Sequence, residues 1–270
     1  MTTRRHLLAT PLILAPAAAQ AQNIAAQAQT AAAQAETAAA PAATAAILAA
    51  GAVKHAVEEI QAKLRAAGQP VPSAAFDTVG ALRDRIIAGE RPAVTLLSAE
   101  AIAALAQRGL VAADGVAEIG RTGVALAAPA GRPMPDISTE AAFRAALLAA
   151  DSLAFADPAR GATAGRHFAA TLERLGIAEA MRPKLRLVPF GVEGVAMASR
   201  GEVALAVSQA TEIIDRPGVQ LVGLLPDALQ LWTTYRVAIV RDGEVARQLL
   251  AMFGTEPAQA AFARIGFRRG

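Results

Sequence analysis

The chain has no cysteine in its 270 residues. That excludes disulfides, thiolate metal sites, a cysteine nucleophile and a lipid-modified amino-terminal cysteine. Aromatic side chains make up only 4%, with one tryptophan and one tyrosine, too few for a stacking platform for bases or sugars. Lysine is confined to Lys54, Lys63 and Lys184, so arginine carries the positive charge. The formal net charge is only +3, two of the arginines lie at positions 4 and 5, and no basic run exceeds two residues. So weak a field argues against a nucleic-acid partner. Histidine is limited to His6, His55 and His167. The last two fall near predicted helix starts, where isolated histidines are usually solvated or capping. No nucleophile elbow, zincin helix, phosphate-binding P-loop or dinucleotide fingerprint occurs. Glu58, Glu59, Asp84 and Glu90 read as solvated faces, and Trp232 and Tyr235 as core or hinge packing on an apolar strand. No acid–base group stands out, so the reading is not an enzyme, with no catalytic residue, metal or cofactor.

Hydrophobic residues reach 54%, enough for a sizeable core, although many are alanines that each bury little area. Residues 1–21 read as an export signal: Arg4 and Arg5, an apolar run from Leu7 to Ala19, and a small-x-small cleavage site at Ala19-Gln20-Ala21. The run is too short to span a bilayer. The paired arginines fit a twin-arginine route or an ordinary secretory signal, and either leads to a periplasm. Residues 22–44 are mostly Ala, Gln and Thr with one charge, and have too little to bury to join a core, so they read as a tether.

From Ala45 onward apolar runs alternate with helical periodicity. Ile47–Ala50, Val71–Phe76 and Ala93–Leu97 read as strands, each followed by a helix, the third capped by Ser98. Arg121–Pro129 is a further strand, and the Gly/Pro-rich 131–137 reads as a crossover between lobes. A second set follows: a helix from Thr139, strands at 152–156, 185–189 and 203–207, and a helix from about Val192 to Arg200. Extended segments at 219–225 and 229–240 and two terminal helices complete the chain. Such alternation predicts parallel βα units, which bind ligands at loops leaving the carboxyl ends of their strands. One such loop stands out. Asp157–Gly176 runs from a buried strand through small residues onto a helix carrying Phe168, Leu172 and Leu175. Unpaired backbone N–H groups at that helix start, with Thr163 and Arg160, would suit an anion. An ordinary strand-to-helix loop in an Ala-rich chain has the same composition.

These pieces together resemble the periplasmic solute-binding proteins of ABC transporters, in particular the molybdate-binding family, over about Ala45 to Phe267. The carrying residues are Ile47–Val53, Arg121 with Val124–Pro129, and Asp157-Pro158 with Ala164-Gly165. Gly201-Glu202 before Val203–Val207, Ala210-Thr211-Glu212 and the helix Ala246–Phe253 with Thr255-Glu256-Pro257 extend it. The resemblance implies a type II periplasmic-binding-protein fold of two α/β lobes, each a mostly parallel sheet flanked by helices, joined by crossover strands. The first lobe would be 45–123 plus 219–270, the second 124–217. It implies a monomer that captures a small anion of the molybdate or tungstate type between the lobes and delivers it to a membrane permease. The implied ligand shell is Ala50, Gly51, Thr78, Val79, Thr163, Ala164, Val192, Ser208 and Gln209, largely through backbone N–H groups, with Arg160 as an optional cation. Hydroxyls found in molybdate binders are missing from the first loop, Ala49–Ala52, and Gln209 stands where a tyrosine is expected. A small organic carboxylate gripped by Arg160 is therefore the alternative ligand. An exported enzyme on the same fold is the less favoured reading.

Overall fold

The computed structural model describes residues 46–269; the export signal and the Ala-rich segment expected at 1–44 lie outside the described residues. The first half opens with β1 (Ile47–Ala50), a short 3-10 turn at Gly51–Val53, and α1 (Lys54–Ala66), which buries Ala56, Val57 and Ile60. Next come β2 (Ala74–Asp77), α2 (Val79–Ile87), β3 (Val94–Ser98) and α3 (Ala99–Ala106). Thr78 and Ser98 cap α2 and α3 by accepting the amides of Ala81 and Ala101. Both β2 and β3 run parallel to β1. The second strand starts later than its apolar run predicts. Pro70 and Pro72 have no N–H to give a ladder, so pairing begins only at Ala74.

The second half contains α4 (Glu140–Ala149), β5 (Leu153–Ala156), α5 (Thr163–Arg174) and the short α6 (Ala178–Met181). It continues through β6 (Leu185–Val188), α7 (Gly191–Ser199), β7 (Leu205–Gln209) and β8 (Val219–Leu224). Here β6 and β7 flank β5, both parallel to it. The last elements, β9 (Trp232–Ile239), α8 (Glu244–Gly254) and α9 (Glu256–Arg264), return to the first half, where β9 pairs antiparallel with β3.

One long strand, β4 (Val116–Pro129), joins the halves. Residues 116–123 pair with β9, and residues 124–129 pair with β7 and β8. The crossover is therefore inside β4, and segment 131–137 is a connection from β4 to α4 within the second half. Segment 219–224, expected in the first lobe, pairs with the second half of β4, so the chain returns only at β9.

Two packed interiors follow from this layout. One gathers β1, β3 and β9 with Leu105, Phe253 and Phe262; the other has Phe143, Phe168 and Leu172 at its centre, with Phe155 edge-on to Phe168 at 5.1 Å. Along β4, Val124, Leu126 and Ala128 face this second interior, while Ala125 and Ala127 face the opposite side, the period-two pattern of a strand covered on both faces. That opposite face is rich in alanine, with Ala154, Ala198 and Ala206 beside Val195, Val203 and Ile213, and its small side chains let α7 lie close against β5. Alanine here sets helix–sheet distance rather than bulk burial.

Candidate functional site

The carboxyl ends of β1, β2, β5 and β7 face one another across the junction of the halves, around a small cavity of about 40 Å³. Eight of the residues expected in the ligand shell line it: Ala50, Gly51, Thr78 and Val79 from the first half, and Thr163, Ala164, Ser208 and Gln209 from the second. Two do not. Val192 sits one residue inside α7, and the preceding Phe190 and Gly191 line the cavity instead. Arg160 closes a 3-10 turn before left-handed Gly161, and its guanidinium stacks over the Phe190 ring at 5.4 Å, facing an outer groove shared with Arg83 and Arg166. The cation expected for the ligand is thus outside the closed cleft.

The loops touch directly. The Thr78 hydroxyl, besides capping α2, donates to the Arg160 carbonyl at 2.5 Å, and the Gly80 amide donates to the Gly161 carbonyl at 3.2 Å. Thr78 therefore fastens one half to the other instead of presenting a free hydroxyl. Small residues expected to let a ligand approach the backbone serve the chain itself: a β-carbon on Gly80 would lie 2.8 Å from the Gly161 Cα, and one on Gly165 would run into the Ala156 carbonyl.

The residue that sequence reasoning missed is Glu212. It follows β7 in a 3-10 turn, is only 7% exposed, and hydrogen-bonds through Oε2 to the Ser208 hydroxyl. Its carboxyl fills the space beside Gly51 and Gly191, where added β-carbons would stand 2.6 Å and 2.5 Å from its oxygens. Burial pushes this carboxyl up, outweighing the Ser208 hydrogen bond, the Gln209 backbone and the Arg216 charge, which all pull it down. Asp77 and Tyr235 also line the cavity. Burial first, then the Glu212 charge, pushes the Tyr235 phenol up. Tyr235 is both core and cleft: it packs edge-on to Phe267 at 5.6 Å and faces Glu212's cavity. The expectation that the cleft lacks acid–base groups is corrected by these three. No spacing signal marked Glu212, because its partners come from both halves.

Two buried polar atoms at the cavity have no partner, Thr163 Oγ1 and Gln209 Oε1, while Gln209 Nε2 donates to Thr233 at 3.3 Å. Buried polar groups are rarely left unpaired, so these mark where a bound molecule would bond. A larger hollow of about 460 Å³ opens near Asp151, Ser152 and Leu205, at the amino ends of β5 and β7. None of the unpartnered buried side-chain atoms lines it, and ligands of such sheets bind at the opposite strand ends. No group of acidic or histidine side chains among the described residues is arranged to hold a metal, and none of the described helices is long and apolar enough to cross a membrane.

The molybdate-binding protein of Azotobacter vinelandii superposes with a TM-score of 0.68 at 14% identity, covering 83% of this chain and 98% of that one. The substrate-binding protein of an ABC transporter from Agrobacterium tumefaciens gives 0.62 at 15% identity, covering 84% and 79%. At such identities these likenesses establish the fold. In sequence, the chain is 33% identical over 195 residues to a Pseudomonas protein named aconitate isomerase, covering 71% of this chain and 73% of that one. The family model described as bacterial extracellular solute-binding protein matches residues 45–268, and the chain belongs to that family.

Proposed function

We propose that the protein is an exported solute-binding protein whose interlobe cleft takes a small organic carboxylate and presents it to a membrane permease. The observation that carries this reading is Glu212, whose carboxyl already occupies the space between Gly51 and Gly191. A compact doubly charged oxyanion such as molybdate would have to displace this carboxyl or keep it protonated, and among the described residues no cation lines the cavity to offset the charge. An organic acid presents carboxylates apart from one another, with carbon between, and can place them around Glu212. The name of the Pseudomonas relative supports the same class, since aconitate is an unsaturated tricarboxylic acid. Organic carboxylates thus rank above the molybdate and tungstate expected first from the resemblance.

A thermal-shift panel of aconitate, citrate, succinate, molybdate, tungstate and sulfate tests the ranking. A ligand at about 1,000 times its Kd stabilises the native state by about 4 kcal/mol. For a chain of this size that raises the midpoint by about 8 °C or more. Stabilisation by a carboxylate alone is the expected result; stabilisation by molybdate and tungstate alone overturns it.

The second reading is catalysis on a bound unsaturated acid, favoured by the relative's name together with Glu212 and Tyr235, two proton-bearing groups that line one cavity. Such groups can exchange protons with a bound acid where water is excluded. Incubation of cis-aconitate with the protein, followed by proton NMR, distinguishes the readings: appearance of the trans isomer identifies an isomerase, and its absence alongside tight binding identifies a carrier.

A further inference from the structure

An anion cleft normally holds donors only, yet this one encloses a carboxyl of its own chain. Resting on the organic-acid reading, we infer that Glu212 is the specificity-determining proton carrier of the cleft: a neutral acid when the halves are closed, so that capture of an anionic ligand takes up one proton. Three features of the geometry support this. First, the Glu212 oxygens are wedged against Gly51 of the first half and Gly191 of the second, so the closed arrangement leaves no room for a hydration shell. Second, the cavity beside it is too small for a ligand of about ten heavy atoms, so ligand access must part the Thr78–Arg160 and Gly80–Gly161 contacts and wet the carboxyl. Third, Gln209 Oε1, in a side chain 3% exposed, has no partner at the cavity wall, a position where a ligand or its water bonds.

The charged and titratable neighbours favour the same state. Tyr235 from β9 and Asp77 from the end of β2 line the cavity, and neither is a cation. Ser208 and Gln209 from β7 are neutral, and α7 contributes Gly191 with no titratable side chain. Arg216, further along Glu212's own segment, is the cation acting on it among the described residues, and its pull is smaller than the effect of burial. From α1, His55 stays neutral near pH 7. Bringing a ligand carboxylate into this cavity adds a like charge, which drives Glu212 further toward its protonated form. The proton comes from solvent and stays on a Glu212 oxygen; no bond of the ligand is broken.

The test is calorimetric titration of aconitate into the whole protein across a pH series, in buffers of differing ionisation enthalpy. Wild-type affinity is expected to be level at low pH and to fall toward tenfold per pH unit once the unliganded carboxyl ionises, with up to one proton taken up per aconitate after correction for the ligand's own titration. Glu212→Gln, a permanently neutral donor of the same shape, should flatten the pH profile and abolish uptake. Binding by wild type without uptake at any pH, or the same uptake in Glu212→Gln, overturns the inference while leaving the carboxylate reading intact. Absence of binding by every carboxylate overturns the carboxylate reading instead. Infrared spectra of the aconitate-bound protein then decide the state of Glu212: a protonated-carboxyl C=O stretch at neutral pH that vanishes in Glu212→Gln supports it, and its absence overturns it.

Discussion

His55 shows how a side chain in the first turn of a helix can acquire a fixed charge state. Burial, then the charges of Arg216 and Lys54, lower its pKa from 6.5 to about 4, and its Nε2 is buried without a partner. Glu58 lies 3.4 Å from Nδ1, but with a neutral ring the pair is no ion pair. The unfolded chain binds a proton here between about 4 and 6.5 and the folded chain does not, so stability falls as pH drops through that window. With the side chain still 20% exposed, the loss is discounted to about 1–2 kcal/mol. In urea unfolding compared at neutral and acid pH, His55→Gln should lack this loss. Thr78 makes a second residue-scale case. Thr78→Ala removes an N-cap worth about 1 kcal/mol together with the bond to the Arg160 carbonyl. It should lower the melting midpoint even without ligand, which a ligand-only role for the hydroxyl would not do.

At the scale of elements, two glycines in helix starts make opposite demands. Gly80 lies in the first turn of α2, where alanine is the better helix former by about 1 kcal/mol. The atoms nearest its added β-carbon belong to Gly161 across the cleft, with the Cα at 2.8 Å. Gly80→Ala should therefore leave the first half as stable as before while holding the halves apart, read as weakened carboxylate binding and a larger radius of gyration in solution scattering. Gly165 begins α5, and its β-carbon would strike the Ala156 carbonyl of its own half. Gly165→Ala should cost about 1–3 kcal/mol of stability by displacing α5 from β5. Equal effects of the two substitutions on stability would count against this division.

For the whole molecule, the joint between the halves is the point where β4 leaves β9 and takes up β7 and β8. Gln230 holds it: its Oε1 accepts the amides of Val124 at 3.0 Å and Leu231 at 2.8 Å, and its Nε2 donates to the Val124 carbonyl at 3.1 Å. The side-chain amide thereby substitutes for a strand residue where the ladder changes partners. Gln230→Ala leaves Val124 with only its backbone partners, the Leu231 carbonyl at 3.3 Å and the Leu225 amide at 3.1 Å, and takes the acceptor from the Leu231 amide, at a cost of about 1 kcal/mol. Hydrogen exchange at the Val124 amide should accelerate, more than at Leu126 deeper in the same strand.

Periodicity and capping residues were enough to place nearly every strand and helix, because each depends on neighbours three, four or two positions away. Ser98 and Thr139 cap the helices they precede, and Phe168 and Leu172 face the interior their spacing implies. The solute-binding family and the α/β fold were likewise written in the order of local markers, whereas the molybdate-binding branch read from the same markers is not what the family match shows. Tertiary structure decided the rest. It moved the crossover from 131–137 into β4, since which residues pair across a sheet depends on distant partners. It turned Arg160 outward and spent the Thr78 hydroxyl on the opposite loop, 82 residues away. Above all, it placed Glu212 between Gly51 and Gly191, three segments remote in sequence whose meeting creates the buried carboxyl at the heart of the cleft. Burial and proximity set a carboxyl's chemistry, and both are properties of the assembled chain.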